Sequence, residues 1–260
     1  VAELKSKGAL NNKNLEKTLL LINDLPGVAA RSILSPSKTK SGASDLSINV
    51  ERKKVDGTIA VNNNGSRFLG RWQMQGGFGL NSMFDHNERI EGQFAYAPSG
   101  QGVDYELGYG ELRGSLPVGR FGTKIEANAG LSNTQPGHTL EQFDVFGKSR
   151  FGGIKVIQPW VRSREFNIST SAGLDIKSSK TTSNIDIARQ DNITALRVAS
   201  HADFVDTLFS AAVTSANLEV ARGVSWFGAS NKGNTDLSRP AGDPNFTKMT
   251  ADVTRLERLA

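Results

Sequence analysis

Histidine binds metals and moves protons more often than any other side chain near neutral pH, so the three histidines are the first candidates for chemistry. His86, His138 and His201 lie more than 50 residues apart. None has a second histidine or a carboxylate at the helical spacing of a motif such as H-E-x-x-H. The chain contains no cysteine, which excludes thiolate metal sites and thiol nucleophiles. We expect no metal site and interpret the histidines as solvated or, on a polar strand face, as lining a lumen.

Serine and glycine patterns give no catalytic motif either. The sequence lacks G-x-S-x-G, the turn that carries the serine nucleophile of α/β-hydrolases. Ser132 near His138 is too weak a pattern to indicate a hydrolase. The glycines of 76–79 lie inside a strand pattern and do not open a helix, as a phosphate-binding loop would require. We expect no catalytic residue and no cofactor, and interpret the strand glycines as marks of curvature or close backbone contact.

The charge pattern argues against a polyanion as partner. The formal net charge is +5 and the isoelectric point about 9.5. The 31 basic residues are interleaved with 26 acids and form no tract of five to eight Lys or Arg. We therefore expect no nucleic-acid binding. No apolar run approaches the ~20 residues of a membrane helix, although a membrane β-barrel needs only about 9–11 residues a strand.

Residues 1–55 show the pattern of a small α+β unit. One apolar helix face is formed by Leu15, Leu19, Ile22 and Leu25, with Asn14 as the predicted N-cap and Pro26-Gly27 as the stop. A short strand follows from Val28 to Leu34. A second strand is indicated where Leu46, Ile48 and Val50 alternate with polar residues. We expect this unit to lack its N-terminal part.

From residue 56 onward the hydrophobic period is two, which predicts about ten strands. Apolar positions of 166–176 and 196–204 alternate with polar ones, and similar alternation is seen in 68–78, 90–96, 103–109, 125–132 and 216–220. The polar faces carry charges in mid-strand. Paired structural charges and the lining of a pore that passes a polypeptide are both compatible with this pattern. The residues predicted to face a lumen are Arg67, Arg71, Lys124, Glu126, Arg197 and Asp203.

Two architectures produce this alternation: a soluble sandwich or barrel with its apolar face inside, and a membrane barrel with its apolar face towards lipid. Residues 166–176 and 196–204 have the length of a tilted membrane crossing. Short connections at 81–87, 118–122, 162–165 and 206–209 alternate, in the later strands, with longer ones at 133–142, 177–191 and 225–245. Outer-membrane barrels segregate short and long connections in this way, so the membrane barrel is favoured.

Two stretches carry a family resemblance. Leu19–Val28, which contains Asn-Asp-Leu-Pro-Gly, is followed by Gly42 and the strand Asp45–Val50. This stretch resembles the second polypeptide-transport-associated (POTRA) domain of two-partner secretion transporters, the haemolysin secretion/activation family. The stretch Asp56–Arg67 with Gly70, and then Leu116-Pro-Val-Gly119 with Gly122-Thr123, is similar to the start of that family's barrel.

The resemblance implies a mainly β fold in which residues 1–55 are a truncated second POTRA domain. Residues 56–260 would be the N-terminal part of a sixteen-strand antiparallel transmembrane β-barrel. We expect the family's plug helix, first POTRA domain, later strands and Val-Arg-Gly-Tyr motif to lie outside this chain. The nearest match to that motif, Ala221–Val224, comes too early in the sequence to be it. The POTRA domain would lie in the periplasm and the barrel, as a monomer, in outer-membrane lipid.

The resemblance also implies a function without enzymatic activity. Such transporters capture one large exoprotein, an adhesin or haemolysin, and thread it unfolded through the outer membrane without ATP or a cofactor. A porin, a barrel-assembly insertase of the same superfamily and a soluble carbohydrate-binding module are the alternatives. The client is expected to add as a strand to the POTRA sheet edge at Arg31, Ser32, Ile33 and Leu34, beside the Leu15–Leu25 helix. The alternative for Leu19, Ile22 and Ile33 is a plain core role.

Overall fold

The computed structural model describes residues 12–39, 43–99, 105–119, 121–185, 188–206 and 212–257. These residues are mainly β. In chain order the elements are α1 (Asn12–Asn23), β1 (Val28–Pro36), β2 (Ser44–Arg52), β3 (Val55–Asn62), β4 (Gln73–Asn81), β5 (Arg89–Ala97), β6 (Leu107–Val118), β7 (Thr123–Thr134), a 3₁₀ helix (His138–Phe143), β8 (Phe146–Arg162), β9 (Phe166–Thr182), β10 (Arg189–Asp206), β11 (Ala212–Val224) and β12 (Thr247–Glu257). Among these residues no helix has the length and apolar character of a membrane-spanning helix.

The strands form two antiparallel sheets. β1 and β2 pair with each other, and β3 to β12 form a ten-stranded sheet in which every strand pairs with its neighbour in sequence. The prediction of a mainly β chain with about ten strands after residue 55 is therefore confirmed. Consecutive pairing throughout also confirms the up-and-down order of the strands.

The ten-stranded sheet has one polar and one apolar face. Residues opposite each other in the register share a face, so Glu91, Arg113 and Asn128 form a row on the polar side. Val198, on the apolar side, is 58% exposed. In the described residues the buried hydrophobic set comprises only Leu15, Ala97, Ala195, Ala212, Ala221 and Leu237. This sheet has no dry apolar centre of the kind that a soluble sandwich needs.

Alternation predicted the faces correctly where charged and apolar residues strictly interleave. In β7, Ile125 lies on the apolar face and Glu126 on the polar face, and β9, β10 and β11 follow the same rule. In β6 the prediction is wrong, because Leu107 and Tyr109 share the polar face with Glu111. Gly108 and Gly110 occupy the apolar face. Because glycine has no side chain, the sequence shows no apolar residue there to mark that face. Val103 and Asp104 lie outside the described residues.

A strand predicted through Arg67 and Arg71 is also wrong, since β3 ends at Asn62 and β4 begins at Gln73. The intervening residues form a loop in which the Gly65 N–H donates to the Arg71 carbonyl over 3.1 Å. Gly70 has a φ of +80°, a conformation that residues with a side chain rarely adopt. Arg67 and Arg71 therefore lie on a connection and are not placed by either face of the sheet.

The connections separate into two sets at opposite ends of the sheet. Those next to the N-terminal unit include residues 82–88, 119, 121–122 and 163–165, and the opposite end carries residues 63–72, 135–145 and 225–246. The predicted long connection at 177–191 is wrong, because Thr181 still pairs with Arg189. The strand residues 177–182 and 189–191 are all polar, so no hydrophobic alternation marks the strands there. The connection predicted at 206–209 lies, beyond Asp206, outside the described residues.

The N-terminal unit has the predicted helix–strand–strand order. Leu15 is buried in α1, which packs against β1. Asn14 is not the N-cap, because the helix begins at Asn12 and the Asn14 carbonyl accepts a hydrogen bond from the Thr18 hydroxyl at 2.8 Å. Gly27 has a φ of +66°, and a Cβ there would lie 2.2 Å from the Lys53 carbonyl oxygen. Only glycine fits this turn, which brings the end of β2 beside the start of β1.

Candidate functional site

The polar face of the ten-stranded sheet carries a chain of ion pairs. Arg197 of β10 lies between two carboxylates, with Nε 2.5 Å from Asp175 of β9 and Nη1 2.5 Å from Glu219 of β11. The Lys155 ammonium of β8 is 3.1 Å from Glu126 of β7. These five residues and Arg113 line a groove of about 360 Å³. Three positive and three negative groups thus balance along the groove.

A second charge cluster lies at the end of the sheet nearest the N-terminal unit. The guanidinium of Arg89 donates to both oxygens of Asp56, over 2.8 and 3.0 Å, and to Glu91 over 2.6 Å. Asn81 is almost fully buried, and its amide donates to Asp56 and to the Lys53 carbonyl. Asn81 therefore joins the polar face of the sheet to the backbone that leaves β2.

Four of the six residues predicted to face a lumen share the polar face. Lys124 and Glu126 follow each other on that face of β7, and Arg197 and Asp203 lie on it in β10, separated by positions 199 and 201. Asp203 accepts a hydrogen bond from the Ser215 hydroxyl at 2.7 Å and lies 3.0 Å from His201. Their assignment to a lumen stays a prediction, and Arg67 and Arg71 lie in a loop.

One aromatic pair on the polar face was not predicted. The rings of Tyr109 and Phe151 stack with centroids 6.3 Å apart, and the Tyr109 hydroxyl donates to Glu111 at 2.6 Å. A Cβ on Gly130 would lie 2.4 Å from the Phe151 ring, so the glycine makes room for it. Phe151 sits between Arg150 and Gly152, where alternation gives no signal for its face.

The described residues contain no group of three or more His, Cys, Asp or Glu that could hold a metal ion. His86 lies in the connection between β4 and β5. The His138 ring packs edge-on against Phe68, with ring centroids 5.9 Å apart. The polar face is thus characterised by ion pairs between neighbouring strands.

The predicted client edge lies in β1. Ile33 and Leu34 are 56% and 50% exposed, so Ile33 is not a core residue of the described unit. Ser32 is half-buried on the side of β1 that faces α1, while Arg31 points to the other, exposed side. The Asn23 carboxamide lies beside this strand, where it donates to the Ala30 carbonyl at 3.0 Å and accepts from the Ala30 N–H at 2.6 Å.

Two ion pairs join α1 and the residue that follows it to the end of β8 and the turn after β8. Arg162 donates through Nε and Nη2 to the two oxygens of Asp24, each over 2.8 Å. The Arg164 N–H donates to Glu16 at 3.1 Å, and the Arg164 side chain is 3.7 Å from the same carboxylate. No sequence pattern predicts these contacts, because their partners are separated by 138 and 148 residues.

Comparison with solved structures shows the fold. CdiB from Escherichia coli matches with a TM-score of 0.75 and 17% identity, over 96% of this chain and 47% of that chain. CdiB from Acinetobacter baumannii matches with a TM-score of 0.57 and 19% identity, over 85% of this chain and 42% of that chain. This chain therefore spans less than half of either protein.

Comparison with curated proteins and protein families gives two further matches. The heme/hemopexin transporter protein HuxB of Haemophilus influenzae (strain 86-028NP) is 24% identical over 162 residues, which make up 62% of this chain and 28% of HuxB. The family model of the haemolysin secretion/activation proteins ShlB/FhaC/HecB matches residues 42–260. Since that match covers most of the sequence, the chain belongs to the haemolysin secretion/activation family ShlB/FhaC/HecB.

Proposed function

We propose that this chain is part of an outer-membrane transporter that captures a large exoprotein, such as an adhesin or haemolysin, and moves it unfolded across the membrane in two-partner secretion. The chain belongs to an outer-membrane two-partner secretion family. The observation that carries the proposal is the up-and-down sheet with a charge-paired polar face and an exposed apolar face. Residues 56–260 are proposed as the N-terminal part of the barrel and residues 1–55 as a POTRA-type domain in the periplasm.

The two faces assign two solvents. Many apolar side chains across β3 to β12 are partly exposed. Exposure of these side chains to lipid acyl chains costs little free energy, whereas their exposure to water is unfavourable. Arg197 with its two carboxylates needs water or other polar groups, which a lumen provides. We therefore assign Lys124, Glu126, Arg197 and Asp203 to the lumen.

The balanced charge of the polar groove suits transit more than tight binding. Each cation of the groove is already beside a carboxylate or between two, so a passing chain meets no large field of one sign. Weak contacts let a polypeptide leave each position as readily as it arrives. Folding of the client outside the cell then removes chain from the lumen and drives transport without ATP, a cofactor or covalent chemistry by the transporter.

Capture begins at the β1 edge. An extended client offers unpaired backbone groups, and an exposed strand edge takes them by strand addition. Arg31, Ser32, Ile33 and Leu34 are the residues of β1 that we propose for this contact. The exposure of Arg31, Ile33 and Leu34 in a two-stranded sheet is what supports the assignment.

Export of a client tests the proposal. The full-length protein is expressed in Escherichia coli together with the N-terminal secretion segment of the large exoprotein encoded by the neighbouring gene, and the segment is measured in the culture medium. Export that depends on the transporter supports the proposal. Ion conductance without export indicates a porin, and loss of other barrel proteins from the membrane on deletion indicates an insertase; either result contradicts it.

A further inference from the structure

The Asn23 side chain occupies the edge of β1 in the manner of a neighbouring strand. Its carboxamide bonds both the N–H and the carbonyl of one residue, Ala30, and its second amide hydrogen goes to the Leu19 carbonyl at 3.0 Å. One residue of an added antiparallel strand would supply the same donor and acceptor through its own carbonyl and N–H. Asn23 therefore holds the place of one client residue.

The bonds of Ala30 also fix which backbone groups of β1 point outward. Both groups of a strand residue point to the same side, and successive residues alternate. Because Ala30 bonds to Asn23, the outward positions are the even-numbered ones. Two backbone hydrogen bonds at the ends of the β1–β2 pair agree with this assignment. The N–H of Lys53 donates to the Gly27 carbonyl and that of Ser37 to the Ala43 carbonyl, so the odd-numbered residues of β1 point towards β2.

Two outward positions remain open beyond Ala30. Ser32 and Leu34 each present an N–H and a carbonyl that have no backbone partner among the described residues. The next outward position is Pro36, which has no N–H to donate. The open edge thus ends at a side-chain amide on one side and at a proline on the other.

These groups specify the chemistry of the occupant. Two donors and two acceptors that alternate at strand spacing are complementary to the backbone of an extended polypeptide, which offers the same groups in return. The amide that the fold itself places at Ala30 is of the same chemical kind. A bound client would run beside exposed Leu34, so an apolar client side chain fits there.

We propose that Asn23 and Pro36 set the two limits of the client edge, so that an extended client segment pairs with β1 through Ser32 and Leu34 alone. The inference rests on the proposed function and adds the register of pairing to it. Asn23 is a positioning residue, since it keeps the client from sliding along β1 towards the start of the strand.

Disulfide trapping tests the register. This chain has no cysteine, so Ala30→Cys, Ser32→Cys and Leu34→Cys each add one defined thiol to it. The probe is the N-terminal segment of the neighbouring exoprotein with a single cysteine, halted during export through the full-length transporter. We expect cross-links at 32 and 34 to exceed those at 30 by about fivefold, the effect of roughly one net backbone hydrogen bond.

Two variants move the limits in opposite directions along β1. Asn23→Ala frees the outward groups of Ala30 and is expected to raise the cross-link at 30 to the level of 32. Pro36→Ala adds one donor at the other limit and should raise the cross-link at 34 about fivefold. Thr18→Ala is the matched control, because its hydroxyl bonds only within α1. Should Asn23→Ala unfold the helix, Pro36→Ala still tests the window, since an edge proline contributes no bond to β2.

The outcomes separate the inference from the function. Equal cross-linking at 30, 32 and 34 in the unmodified background, or no cross-link at any of them while export proceeds, overturns the inference and leaves the transporter assignment standing. Absence of export in the unmodified background contradicts the proposed function itself. Unchanged cross-linking in both Asn23→Ala and Pro36→Ala also overturns the inference.

Discussion

Asn23 and Asp24 are adjacent in sequence but hold different parts of the molecule. The Asn23 amide bonds to the edge of β1, and the Asp24 carboxylate bonds to Arg162, the last residue of β8. Pro26 and Gly27 then turn the chain into β1. The Asn-Asp-Leu-Pro-Gly stretch therefore connects α1 both to β1 and to the end of β8. These contacts give a physical role to the motif that carries the family resemblance.

The Asp24–Arg162 pair should contribute modestly to docking of α1. The two side chains are 39% and 28% exposed, so solvent screens their attraction. In a double-mutant cycle with Asp24→Ala and Arg162→Ala, we expect a coupling energy of about 1 kcal/mol or less, read from hydrogen exchange of the α1 amides.

Arg164→Ala is the matched control for this cycle, because the Arg164 side chain is more exposed and its contact with Glu16 is longer. Its effect on exchange should be smaller than that of Arg162→Ala. Equal effects of Arg162→Ala and Arg164→Ala on exchange would show that the bidentate pair with Asp24 contributes no specific stabilisation to α1.

Glu88 makes the connection between β4 and β5 sensitive to acid. Its carboxylate accepts the N–H groups of Phe84 and His86, and the Phe84 bond in particular holds the pKa of Glu88 below its ordinary value. A pKa that is lower in the folded state stabilises the turn above the unfolded-state pKa, and this stabilisation is lost as pH falls through the folded pKa.

The amide resonances of Phe84 and His86 should therefore titrate with a midpoint below that of an ordinary glutamate, ~4.3. Glu88→Gln should abolish this transition. A midpoint at or above the ordinary value would contradict the capping role of the carboxylate.

Glycines on the apolar face control packing between neighbouring strands. Gly92 of β5 lies under Phe78 of β4, and a Cβ on Gly92 would lie 2.2 Å from the Phe78 ring. Gly92→Ala must displace that ring, so we expect a loss of about 1–3 kcal/mol in the free energy of unfolding. Urea unfolding of the full-length protein in lipid vesicles measures it.

Gly114 offers a matched control for Gly92, since it lies on the same face of β6 with open space around its Cβ position. Gly114→Ala should change stability by less than about 0.5 kcal/mol. If Gly114→Ala lowered the free energy of unfolding as much as Gly92→Ala, the cost would come from replacing a glycine in the backbone and not from contact with the Phe78 ring.

The elements also show where sequence pattern was sufficient. In β7 every position on the polar face carries a polar or small residue, and in β10 the same holds from Ala195 to Asp203, so period two predicted both faces there. Thr181 and Arg189 pair although both faces are polar there, and no hydrophobic pattern marks such strands. The Asn23–Ala30 and Asp24–Arg162 contacts were beyond prediction, because side-chain geometry across a turn or across 138 residues is not encoded in spacing.

At the scale of the whole molecule, the net charge of the chain is positive whereas the charges along the polar groove balance. The chain carries a net charge of +5, yet three cations and three anions line the groove of the polar face, and its third cation, Arg113, lies 3.1 Å from Glu111 of its own strand. The sequence correctly indicated that basic residues form no tract, but only the register shows that they neutralise carboxylates on adjacent strands. This arrangement supports a water-filled path with little net field along the described part of the sheet.

The central claim is that the apolar face contacts lipid and the polar face contacts water. Single spin labels at positions 196 to 203 of β10, in the full-length protein in lipid bilayers, test it most directly. Collision rates with oxygen, which concentrates in lipid, should peak at 196, 198 and 202, and those with a water-soluble nickel complex at 197, 201 and 203. Uniform rates along β10, or labels at 196 and 198 that neither reagent reaches, would contradict the claim.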